Sequence, residues 1–67
     1  MEVSVNEEKK TLPSNTSLAE AIEAFYLKET NGIAVAINER VIKRENWTTE
    51  MLRPNDKILI IRAAQGG

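Results

Sequence analysis

Cysteine and histidine are both missing from this 67-residue chain. Without cysteine there is no disulfide scaffold, no thiolate nucleophile and no cysteine-ligated metal. That lack suits a reducing compartment, and the expected location is cytoplasmic. Without histidine the chain has neither the commonest general base nor the commonest metal ligand. Aromatic residues are scarce, with one each of Phe, Tyr and Trp. No apolar run nears the roughly 18 residues of a membrane-spanning helix. No basic segment precedes an apolar one in the manner of a signal peptide. A strong charge of either sign is absent too: the net charge is −1. That balance gives no general case for nucleic acid or an anionic membrane as partner.

What is present suits one small folded domain. Hydrophobic residues make up 42% and charged residues 28%, ordinary for a soluble globular chain. A chain this short buries only about 60% of its unfolded surface, so its core is small. The charge is unevenly spread. Residues 1–39 carry three basic and seven acidic side chains, whereas residues 40–67 carry six basic and three acidic.

Polar and apolar residues alternate from Glu2 to Asn6, the mark of a half-buried strand. Asn6-Glu7-Glu8 is a polar turn, and Lys9 to Leu12 reads as the returning strand, stopped by Pro13. Ser17-Leu18-Ala19-Glu20 is a capping box, in which the Ser hydroxyl and the Glu carboxylate each satisfy a backbone amide. The helix it starts is expected over 18–29, with Leu18, Ala21, Ile22 and Phe25 on one face and Asn31-Gly32 as its stop. Ile33 to Ile37 reads as a strand of alternating large and small residues, turning at Asn38-Glu39 into a short strand near 41–43. Residues 44–52 look irregular, with one helical turn. Arg53-Pro54-Asn55-Asp56 is a turn, and Lys57 to Arg62 is the last strand.

An opening hairpin, one helix and a return to the sheet is the order of a β-grasp domain. The expected fold is therefore α+β: a mixed sheet of about four to five strands with one main helix on one face. The first and last strands would be central and parallel, their long connection supplied by the intervening elements. The domain would occupy 1–62, followed by a flexible tail over 63–67. Val3, Val5, Leu18, Ile22, Phe25, Val35, Ile37, Ile58 and Ile60 form the expected core. Trp47 reads as a core edge.

No side-chain constellation supports catalysis. Ser4, Ser14 and Ser17 lack a histidine partner, and the carboxylates are scattered. The chain is expected not to be an enzyme and to hold no metal or cofactor. Chemistry can still reside in the α-carboxylate of Gly67. The chain has three glycines, and two are its last residues, Gly66-Gly67. Glycine has no Cβ, so such a terminus can thread a narrow channel. A carboxylate is a poor electrophile, but transfer to AMP supplies a leaving group that a sulfur or nitrogen nucleophile can displace. From Ile61 to Gly67 the extended chain reaches about 20 Å, enough to enter a partner's active site.

The stretch from Ile33 to Gly67 resembles the sulfur carrier (ThiS) family of thiamin biosynthesis. The matching pieces are Ala36-Ile37-Asn38, Val41-Ile42 with Arg44, Trp47, Asp56-Lys57-Ile58 and Gly66-Gly67. Asn55 departs from the glycine usual there, and asparagine tolerates the left-handed conformation such a turn requires. The resemblance implies that Gly67 is adenylated and then carries sulfur as a thiocarboxylate, with Gly66 keeping the approach slim. It implies an E1-like, ThiF-type adenylyltransferase that uses ATP and Mg²⁺, a ThiG-type thiazole synthase, and a sulfur donor such as a cysteine desulfurase system. Other readings stay open at this point. They are a molybdopterin-synthase small subunit, a donor for transfer RNA thiolation, a ubiquitin-like modifier, and a β-grasp binding module that carries nothing. A Pro-rich approach to Gly-Gly, usual in the first, is not matched by Ala63-Ala64-Gln65.

Period-two alternation also suggests a docking face. Ile58 and Ile60 should point one way, and Leu59 and Ile61 the other. If the large Val35 and Ile37 fill the core, Ala34 and Ala36 lie outside. Ala34, Ala36, Leu59 and Ile61 would then form an apolar patch beside the tail, with Arg40, Lys57 and Arg62 as a basic rim. The competing expectation is that residues 44–52 cover Leu59 and Ile61.

Overall fold

The computed structural model describes residues 1–25 and 32–62. Within them lie five strands and one α-helix: β1 (Glu2–Val5), β2 (Glu8–Thr11), α1 (Leu18–Phe25), β3 (Ile33–Ile37), β4 (Arg40–Ile42) and β5 (Lys57–Arg62). A single 3₁₀ turn, Arg44–Asn46, stands between β4 and β5. The strands form one sheet in the order β2-β1-β5-β3-β4. β1 and β5 are parallel, and the other neighbours are antiparallel. The last strand is thus central, as the order of elements implies.

Local chemistry accounts for each boundary. The two hairpins close through Asn6-Glu7 and Asn38-Glu39, with φ of 50° and 72° in both. Positive φ at two consecutive residues matches the right-handed twist of the strands they join. The capping box forms in both directions. The Glu20 amide donates to Ser17 Oγ at 3.1 Å, and the Ser17 amide donates to Glu20 Oε1 at 2.9 Å. Asn55 takes φ 71°, the left-handed turn that asparagine tolerates. The expected helix end over 26–29 and its stop at Asn31 lie outside the described residues; Gly32 has φ 78°.

The core lies between α1 and one face of the sheet. Val3, Val5, Leu18, Ile22, Val35, Ile37, Ile58 and Ile60 are all buried in one cluster. Phe25 is only partly buried and flanks that cluster, with the Lys10 ammonium 5.4 Å from its ring centroid. Leu12, Ala21, Ile42, Trp47 and Leu52 complete the core. Residues 44–52 reach it because their backbone is tied to the start of α1. The Leu18 amide donates to the Glu50 carbonyl at 2.8 Å, the Ala19 amide to the Trp47 carbonyl at 3.0 Å, and the Leu52 amide to the Thr16 carbonyl at 3.0 Å. Trp47 is buried, donates from Nε1 to the Ile42 carbonyl at 3.0 Å, and has the Arg44 guanidinium 4.8 Å from its ring centroid.

Candidate functional site

The site is built around β5, the strand that leads into residues 63–67. Gly66 and Gly67 lie outside the described residues. β5 is held on both sides. Along β3 it pairs over Ile33↔Arg62, Ala34↔Ile61, Val35↔Ile60, Ala36↔Leu59 and Ile37↔Ile58. Along β1 it pairs at Ser4↔Lys57 and Val5↔Ile58. The Asn6 side chain extends that second ladder by one rung, its Oδ1 accepting from the Ile60 amide at 2.8 Å.

The start of β5 is fixed by a polar cluster. Asp56 is buried, and its Oδ2 accepts from the Arg53 amide at 2.8 Å. Its Oδ1 accepts from Asn38 Nδ2 at 3.0 Å, while Asn38 Oδ1 accepts from the Lys57 amide at 3.0 Å. Among the described residues no buried side-chain nitrogen or oxygen lacks a partner. A buried carboxylate so bonded sets the turn that launches β5.

Registered cross-strand partners share a face. Ala36↔Leu59 and Ala34↔Ile61 therefore bring four of the expected docking residues together on the face away from α1. Leu59 is 47% exposed and Ile61 52% exposed. Val41, paired with Ala36 and 72% exposed, extends the apolar row across a third strand. Sequence reasoning passed over Val41, although its alternation with Ile42 carried the signal. Residues 44–52 do not cover this face, because Trp47 and Leu52 pack on the helix side.

The expected basic rim is not assembled as drawn. Arg62 pairs with Ile33, and Arg40 with Ile37, so both share the face of the core residues. Arg40 Nη2 instead lies 3.5 Å from Glu50 Oε2, in the segment docked on α1. Lys57 alone of the three shares the face of Leu59 and Ile61 by alternation. The physical reason is parity: 58, 60 and 62 fall on one side of a strand.

Among the described residues no group of three His, Cys, Asp or Glu side chains is placed to hold a metal ion. Among them, no helix is long and apolar enough to cross a membrane. One helix across a five-stranded mixed sheet, with the first and last strands parallel at its centre, defines a ubiquitin-like β-grasp domain. Its last strand carries Leu59 and Ile61 of the uncovered apolar row. The chain belongs to the ThiS family, whose family model matches residues 1–67. The sulfur carrier protein ThiS of Escherichia coli (strain K12) is 25% identical over 67 residues, all of both chains. A crystal structure of the thiamine biosynthesis protein ThiS from Geobacter metallireducens superposes with a TM-score of 0.86 at 20% identity, covering all of both chains. An NMR solution structure of a thiamine biosynthesis protein from Geobacter metallireducens gives 0.77 at 20% identity, covering all of this chain and 88% of that one. These two likenesses establish the fold.

Proposed function

We propose that this chain is a sulfur carrier of thiamin biosynthesis, with Gly67 as the carrying residue. The observation that supports this reading most is the match to the ThiS family along the whole chain, including the Gly66-Gly67 end. The five residues after Arg62 are Ala63-Ala64-Gln65-Gly66-Gly67, none bulkier than glutamine. Such a segment fits a narrow channel while the folded body docks outside. In this reading the chemistry belongs to partners, and the chain, which has neither Cys nor His, acts as cargo holder.

The steps balance without any group on the domain. The Gly67 carboxylate attacks the α-phosphate of ATP, giving an acyl adenylate and releasing pyrophosphate. The outer sulfur of a persulfide from a cysteine desulfurase system then displaces AMP to give an acyl disulfide. An external thiol attacks that disulfide, taking the inner sulfur of the former persulfide into a new disulfide and leaving the thiocarboxylate that a thiazole synthase consumes. ATP and Mg²⁺ belong to the E1-like adenylyltransferase. Both protein partners would cover the outer row of Ala34, Ala36, Val41, Leu59 and Ile61. A small monomer seldom leaves such a row bare without a partner. A location in the cytoplasm, where those enzymes and ATP are found, accords with this role.

The test is incubation with the cognate E1-like enzyme, ATP and a sulfide source, followed by mass spectrometry of the intact chain. The expected product gains the mass of sulfur replacing oxygen, located on Gly67. The Gly67-deleted chain should keep its fold and gain nothing. An isopeptide adduct on a target lysine would identify a modifier instead. Sulfur loading of the Gly67-deleted chain would refute the assignment of that residue.

A further inference from the structure

We propose that the uncovered face holds a second docking point: a hollow between the two hairpin turns that takes an arginine side chain of the activating partner. This rests on the function proposed above and adds to it the chemistry of one contact.

The hollow has a volume of about 420 Å³. Ala36 and Leu59 line it, Glu7 and Glu39 flank it, and Lys57 lies at its edge. Val5 and Ile37 both pair with Ile58, one from each side, and each is followed at once by its turn. β1 runs with β5 and β3 against it, so from Ile58 the two turns leave in opposite directions along β5 and the hollow lies diagonally between them. Both turns are held in place by their asparagines, which bond to the backbone of β5.

Charge decides the occupant. Two carboxylates face one ammonium, and among the described residues neither Glu7 nor Glu39 has an ion pair. An arginine stem can lie on Ala36 and Leu59 while its planar fork of donors reaches a flanking carboxylate. Leu59 belongs to both the hollow and the apolar row, so a partner covering the row also faces the hollow. The hollow sits over the first half of β5, and the carrying terminus follows its last half. Contacts at both places fix the direction in which residues 63–67 enter the partner.

The experiment compares the full chain with the double variant Glu7→Lys, Glu39→Lys. One arm measures direct binding to the cognate E1-like enzyme by calorimetry, and the other measures ATP–pyrophosphate exchange. The double variant should keep its urea midpoint, bind about tenfold more weakly or worse, and raise KM equally at unchanged kcat. The gap should narrow as salt is added. A folded double variant with unaltered Kd and KM would overturn the hollow. So would a wild-type chain that dimerises through the hollow and loses its dimer on charge reversal. If the wild-type chain binds, and binding is charge-sensitive but no exchange occurs, the function fails and the hollow stands. No binding of the wild-type chain refutes both.

Discussion

Asn38 ties the β3–β4 turn to the base of β5, and its removal separates two energetic contributions. In Asn38→Ala the Asp56 carboxylate loses its 3.0 Å donor, and the Lys57 amide loses its 3.0 Å acceptor. A hydrogen bond to a charged, buried group contributes about 1.5–3 kcal/mol. The Lys57 amide is exposed and recovers most of its loss from water. Alanine at φ 50° adds about 1 kcal/mol of backbone strain. The expected loss is about 3 kcal/mol, a third or more of what a domain of this size has. Asn38→Gly removes the same bonds without the strain, so it should lose about 1 kcal/mol less. Urea denaturation followed by Trp47 fluorescence measures both, provided the slope m is unchanged. If alanine costs under about 1 kcal/mol, the Asp56 cluster does not anchor β5. If glycine is as damaging as alanine, the positive φ stores no strain.

Two further substitutions test the packing and the uncovered face. Ile58→Ala should cost about 2–5 kcal/mol, and Phe25→Ala less than about 2, because Phe25 only flanks the core; equal melting temperatures for the two variants would show that the burial is misjudged. Leu59→Glu should melt like the wild type and raise KM for adenylation at least tenfold, since its side chain is half exposed; a chain that no longer folds would place Leu59 in the core.

Much of the fold was legible because local signals agreed with one another. The capping box at Ser17–Glu20 forms both of its bonds, and both Asn-Glu turns close their hairpins. Val35, Ile37, Ile58 and Ile60 are buried by strict alternation along their strands. Residues 44–52 were less legible. They have neither helical nor strand periodicity, because backbone bonds to the start of α1 position them, and no side-chain pattern records such bonds. Trp47 and Leu52 consequently join the core from a segment that looks like a connection. The apolar row was readable from parity, whereas the rim was drawn from charge without applying parity. Arg40 and Arg62 went to the wrong face for that reason.

The central place of β5 has a mechanical consequence. A partner that draws residues 63–67 into a channel while gripping the sheet's outer face pulls on β5 along its own axis. An edge strand pulled the same way would resist through one ladder only. Here the ladders to β1 and β3 lie on both sides and cross the line of pull. The rungs share the load and must slide together before any one gives way. Tension along β5 is therefore shared by two ladders at once.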